Sequence, residues 1–133
     1  MIGLLLDTHA LLWFVFRDPR LSPAAYEVTR RSAESGNRLG LSVLSLIEIV
    51  YLVEKQRLPP TTLAEVMDEV ARQPTLFEVV SVSQEVALAM ERVSRDEVPD
   101  MPDRIIAATA LHLDVPLVSR DRKIRLSQVQ TVW

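Results

Sequence analysis

The chain has 133 residues, 48% hydrophobic and 25% charged, which argues against a disordered chain and fits one domain spanning 1–133. It contains no cysteine, so a disulfide framework, a thiolate metal site and a cysteine nucleophile are all excluded. Its net charge of -3 lacks the overall basic footprint of a nucleic-acid binder, so any such role must rest on local charge.

Ile2 to Leu6 is a short apolar run, as expected of a central parallel strand covered on both faces, and it ends on Asp7. The apolar opening as far as Phe16 is interrupted by Asp7 and His9 and is shorter than the roughly 20 residues of a bilayer span. It also lacks a basic leader and a small-residue cleavage site, so it reads as buried structure of a cytoplasmic protein without membrane contact. Thr8 to Phe16 is apolar around most of a helix, with Trp13, Phe14 and Phe16 near its end. Ser22-Pro23 starts a helix that Gly36-Asn37 ends.

Leu39 to Val43 reads as a second buried strand, and Ser45 to Lys55 as a helix with little polar face and with Glu48 in its first turn. Pro59-Pro60 punctuates the chain, and Thr62 with Glu65 makes a capping-box start for a helix reaching about Gln73. Its stripe of Leu63, Val66, Met67 and Val70 faces the core. Phe77 to Val82 is a third strand, Ser83 and Glu85 begin another helix, and Asp96 to Met101 is a polar loop.

Asp103 then opens an amphipathic helix that turns at Asp114 to Pro116, passes through a Leu117-Val118 strand and closes on Asp121. Val129 to Trp133 is a final strand. Strands alternating with helices predict a parallel α/β sheet covered by helices on both faces.

Four carboxylates recur in one context: Asp7 after the first strand, Glu48 in the helix after the second, Asp103 opening the late helix and Asp121 past the strand that follows. Right-handed crossovers bring all four to one edge of the sheet, where ligands bind in open parallel sheets. Taken singly, each has a structural explanation. Asp7 would cap the next helix, Glu48 would close a capping box with Ser45, Asp103 would complement a helix dipole and Asp121 would sit in a turn.

Together they would repel. Two unit charges about 4 Å apart cost on the order of 4 kcal/mol at an effective dielectric of about 20, more than a typical cap contributes. An all-oxygen set suits Mg²⁺ or Mn²⁺, which retain waters and accept phosphate oxygens as further ligands. Such ions would support in-line phosphodiester hydrolysis.

Four stretches carry a specific resemblance: LLLDTHALLW at the start, SxxEI in Ser45 to Ile49, PDRIIAATA in Pro102 to Ala110 and SRD in Ser119 to Asp121. From end to end the chain resembles the PIN-domain nucleases, and among them the VapC toxins of toxin-antitoxin pairs. The resemblance implies a PIN-like three-layer α/β/α fold with a central, mainly parallel sheet, and endoribonuclease activity. It further implies that Asp7, Glu48, Asp103 and Asp121 are the catalytic residues and the ligands of Mg²⁺ or Mn²⁺. Thr8 and Ser119 would be supporting hydroxyls. The implied partners are RNA, a second copy of the chain in a homodimer, and a small VapB-like antitoxin whose basic side chain reaches the acids. One departure concerns the third motif, where Met101-Pro102 precedes Asp103 in place of proline and an aromatic, which leaves the placement of Asp100 open.

Arg104, Arg120, Arg122, Lys123 and Arg125 would supply a local basic footprint for RNA phosphates, the alternative being a solvated charged face. His9 reads as structural though close to the site, and His112 as a helix-end or surface residue. Other readings are a catalytically weak regulatory or scaffold PIN domain, a haloacid-type phosphatase and a phosphoacceptor receiver. The phosphatase would need a second Asp where His9 stands, and the receiver would need adjacent acids beside Asp7.

Overall fold

In the computed structural model, which describes residues 1–133, the apolar opening run alternates its side chains between two cores. Leu4 and Leu6 enter one and Leu5 the other, and none of the three is more than 1% exposed. This first strand, β1 (Ile2–Leu6), leads into α1 (Thr8–Val15) and α2 (Pro23–Glu34), then β2 (Arg38–Ser42) and α3 (Val43–Glu54). After these come α4 (Thr62–Ala71), β3 (Phe77–Val80), α5 (Gln84–Ala89) and a 3-10 turn at Met90–Arg92. The chain ends with α6 (Met101–Leu113), β4 (Leu117–Val118), α7 (Arg122–Arg125) and β5 (Thr131–Val132). No helix is long and apolar enough to cross a membrane.

All strand pairs are parallel, and the sheet order is β3-β2-β1-β4-β5. The three-layer α/β/α arrangement therefore follows the expected class, with seven helices around five strands. On one side, Leu4, Leu6, Leu39 and Leu41 pack with α1 through Leu11 and Leu12, and with Ile49 of α3 and Val66 of α4. On the other, Leu5 and Leu117 pack with Val86 of α5, Ile106 to Ala108 of α6 and Ile124 of α7.

Local chemistry sets most boundaries. The Ser22 hydroxyl accepts from the Ala25 amide at 3.1 Å, with Pro23 at the first helical position of α2. Gly36 ends that helix at φ +88°, a conformation costly for any residue with a Cβ. Asp114 ends α6 in the left-handed region, with the Val115 amide reaching back to the Ala110 carbonyl at 3.1 Å. A Cβ on Gly3 would lie 2.3 Å from Ser32 Oγ, so only glycine lets α2 pack this closely on β1.

Other boundaries differ from expectation. α3 begins at Val43, with Ser42 as its cap, because β2 pairs with β3 through Ser42 and enters the helix without a loop. Glu48 is therefore in the second turn rather than the first, and Ser45 does not cap. At the start of α4, Thr62 Oγ1 donates to the Pro59 carbonyl at 2.7 Å, and no side chain caps the helix, so there is no capping box. The third strand stops at Val80, short of Val82. Where the sequence predicts only a turn at Asp121, that residue caps the one-turn helix α7.

Candidate active site

The strand order changes direction beside β1: the chain moves from β1 out to β2 and β3, then returns to place β4 on the other side. A crevice opens past the carboxyl ends of two strands whose following connections diverge in this way. Asp7 follows β1 and Asp121 follows β4, so both stand at that crevice. The Asp7 amide donates to the Val118 carbonyl at 3.1 Å, continuing the ladder and setting Asp7 opposite Ser119.

Asp7 caps α1 by accepting from the Ala10 amide at 2.8 Å. Burial holds its carboxyl above the usual range, opposed by the Ser119 hydroxyl, the Ala10 amide and His9, while Asp121 pushes the same way as burial. Ser119 is fully buried, and its Oγ accepts from the Asp121 amide at 3.0 Å. Asp121 in turn caps α7 through the Ile124 amide at 3.0 Å.

Glu48 reaches the crevice from α3. Thr8 Oγ1 lies 2.6 Å from Glu48 Oε1 and 2.9 Å from Ser45 Oγ. Thr8 has one hydroxyl proton and an ionised carboxylate only accepts, so Thr8 donates to Glu48 and Ser45 supplies the proton of the other bond. Burial raises the Glu48 carboxyl above its ordinary range; the Thr8 bond and His9 oppose this, and Asp100 and Asp7 add to it.

Asp103 is the third residue of α6. The cap is Asp100, which accepts from the Asp103 amide at 3.1 Å. The Asp103 carboxyl is pushed up to about 7, first by burial and then by Asp100, Asp121, Glu48 and Asp7 in that order. Asp103 thus feels the charge of the other three acids singled out from the sequence, and of Asp100 besides. The signal for Asp100 was the acid preceding Met101-Pro102, the sequence of a helix N-cap.

A hard divalent cation fits this donor set in type and charge: the carboxylates supply oxygen, burial and their neighbours' charge raise them, and only His9 acts the other way, on Asp7 and Glu48. The fit does not extend to a finished ligand shell, since no three acidic or histidine side chains converge as one set. Mg²⁺ keeps several waters and needs only one or two direct carboxylates, so a partial shell is compatible with its chemistry.

The basic residues separate. Arg104 Nε donates to the Val93 carbonyl at 3.1 Å and its NH2 to the Met90 carbonyl at 2.9 Å, tying α6 to the preceding turn. These two bonds engage Nε and one NH2 of the guanidinium expected to meet RNA. Arg120, Arg122, Lys123 and Arg125 are exposed and none has an ion-pair partner. His9 is exposed 5.6 Å from the Trp13 ring, with its charge felt at Asp7 and Glu48. His112 is exposed in the last turn of α6, as expected.

Comparison with known proteins agrees with this architecture. Ribonuclease VapC22 of Mycobacterium tuberculosis is 27% identical over 136 residues, covering 100% of both chains. Among solved structures, VapBC2 of Rickettsia felis bound to promoter DNA superposes with a TM-score of 0.72 at 17% identity, covering 98% of this chain and 97% of that one. DNA-bound VapBC of Salmonella typhimurium gives 0.72 at 20% identity over 98% and 97%. FitAcB of Neisseria gonorrhoeae gives 0.59 at 20% identity over 96% and 95%. At these identities the solved structures speak to the fold. Residues 4–129 match the PIN domain, and with nearly the whole chain inside that match, the protein belongs to the PIN-domain family.

Proposed function

We propose that the protein is a Mg²⁺- or Mn²⁺-dependent endoribonuclease of the VapC toxin type, acting in the cytoplasm as one PIN domain over 1–133. The observation that carries this reading is Asp103, a carboxyl raised to about 7 among Asp7, Glu48, Asp100 and Asp121 at the strand-order switch. An acid perturbed by burial and by neighbouring charges in a crevice is the physical signature of a functional site. The likeness to a ribonuclease of the VapC series supports the choice of RNA.

Asp7, Glu48, Asp103 and Asp121 would hold the cations, which when bound supply a hydroxide at neutral pH and charge stabilisation of the phosphodiester. The chain's own contribution is orientation. Thr8 aims Glu48, and the α1 and α7 amides keep Asp7 and Asp121 from rotating away. Asp103 must give up its proton to serve as a ligand, so cation binding is linked to proton release below about pH 7. Arg120, Arg122, Lys123 and Arg125 would meet the RNA phosphates.

A VapB-like antitoxin would cover the cavity of about 470 Å³ lined by His9, Trp13, Phe16, Leu52, Leu58 and Arg57, and pass a basic side chain to the acids. The exposed apolar side of α3, with Ile47, Val50 and Tyr51, would form a homodimer interface. Cleavage of single-stranded RNA with Mg²⁺ or Mn²⁺, absent in EDTA, tests the catalytic reading; full activity after verified metal removal would sink it. Copurification with the product of a neighbouring short reading frame tests the toxin reading. A weakly active scaffold PIN domain is the second reading, favoured by the incomplete ligand shell.

A further inference from the structure

Arg120 sits one residue before Asp121, yet it pairs with no carboxylate. Its guanidinium carbon lies instead 4.9 Å from the centroid of the Trp13 ring. The backbone on either side is pinned. The Ser119 amide donates to the Val132 carbonyl at 3.2 Å, and the Asp121 amide donates to Ser119 Oγ.

Trp13 is only 6% exposed and is itself wedged, with the His9 ring at 5.6 Å, the Trp133 ring at 5.7 Å and Arg20 at 5.3 Å. Arg20 is already committed, with Nε and NH2 at 3.1 and 2.7 Å from the two Asp18 oxygens. Arg122, Lys123 and Arg125 lie on the exposed one-turn helix α7. Of the basic groups beside the acids, Arg120 alone is both held by an aromatic ring and free of a carboxylate.

An aromatic hold engages the guanidinium through its π face and leaves its N–H fork for an acceptor. A planar fork fits two non-bridging oxygens of one phosphate, and a group held in place before binding loses little freedom when it binds. We propose that Arg120 is the phosphate-recognition residue of the RNA site, gripping the backbone phosphate beside Asp121, and that Trp13 is the positioning residue that holds it away from the acids. This rests on the ribonuclease reading above. Trp13 then has a second task besides filling the core.

The test uses the full chain, a labelled single-stranded RNA oligonucleotide, cleavage under single turnover with Mn²⁺, and binding in EDTA across a KCl series. Arg120→Ala should slow cleavage at saturating enzyme by about tenfold or more, the loss expected of a charge-assisted hydrogen bond. It should also flatten the log affinity against log salt slope by about 0.7, one single-strand phosphate contact. Arg120→Lys should keep the salt slope and recover only part of the rate.

Trp13→Leu should slow cleavage in the Arg120 background and add nothing to Arg120→Ala, while Trp13→Phe retains a ring and most of the activity. Thermal melts check folding, and if Trp13→Leu does not fold, the Arg120→Ala and Arg120→Lys pair decides. Arg120→Ala within about twofold of wild type and with an unchanged salt slope overturns the proposal, as do multiplicative effects of the two substitutions. A wild-type protein that cleaves no RNA with either metal overturns the ribonuclease reading and this inference with it; a cleaving wild type with an indifferent Arg120 overturns this inference alone.

Discussion

Asp121 and Asp103 stand at the same crevice but are held there in different ways. Asp121 follows β4 and caps α7, so its carboxylate has a structural partner in the Ile124 amide. Asp103 is inside α6, whose cap is Asp100; it has no comparable return and is surrounded by other acids. Asp7 resembles the first, capping α1 as well as facing the cluster. Glu48 resembles the second, in mid-helix, with the Thr8 hydroxyl as compensation. Capping and a place at the crevice are therefore not alternatives: the fold uses caps to fix two acids and places two more inside helices, one beside the Thr8 hydroxyl and one without a side-chain partner.

The largest expected effect is on chemistry, and it should ignore this difference. Asp103→Asn and Asp121→Asn should each lower RNA cleavage by at least about a hundredfold, the scale of losing one charge-stabilising group from an active site. Single-turnover assays at saturating Mn²⁺ check it, and near-normal cleavage by either variant would remove that residue from the site.

Stability should then separate them. Thr8→Val keeps the shape but removes the proton donated to Glu48 and strands Ser45 in the interior, so it should cost about 2 kcal/mol in denaturant melts. The same change leaves Glu48 without the hydrogen bond that opposes its burial, so Mn²⁺ should stabilise the variant less at neutral pH.

A smaller effect, of opposite sign, is expected at Asp103. Its carboxyl stands higher in the folded protein, at about 7, than the ordinary 3.8, so the folded state holds its proton longer than the unfolded state does. The favourable contribution is complete below about pH 4 and is lost as pH rises through about 7. Asp103→Asn should therefore stabilise the metal-free protein by about 1 kcal/mol at pH 8 and have little effect at pH 4. Solvent screening of a half-covered group keeps this well below what the full shift would imply. Melts in EDTA at the two pH values measure it, and a pH-independent difference would mean that Asp103 is not crowded.

The smallest effect belongs to Asp121→Asn. Asparagine caps a helix about as well as aspartate, so metal-free stability should move by no more than about 0.5 kcal/mol, whereas Asp121→Ala should lose about 1 kcal/mol. If Asn and Ala behave alike, Asp121 is not acting as a cap and the contrast with Asp103 fails.

The sequence by itself determined the elements and their class. The five-residue run Ile2–Leu6, the Ser22-Pro23 start and the Gly36 stop act over a few neighbouring residues, through burial of a short strand, a hydroxyl cap and a positive φ. The placement of the acids was legible as well: Asp7 follows β1, Glu48 lies in α3 after β2, Asp103 lies in α6 before β4 and Asp121 follows β4. Tertiary structure decided what each polar group does there. Ser45, read as a cap, is buried against Thr8; Arg104, read as a phosphate contact, ties down two carbonyls; and Trp13, read mostly as core, carries Arg120. These outcomes depend on which donor meets which acceptor across separations such as the 37 residues between Thr8 and Ser45, and local propensity carries no record of such a meeting. Hydrophobic periodicity places a helix against a sheet, but the partner of a buried hydroxyl is set only when the two layers close.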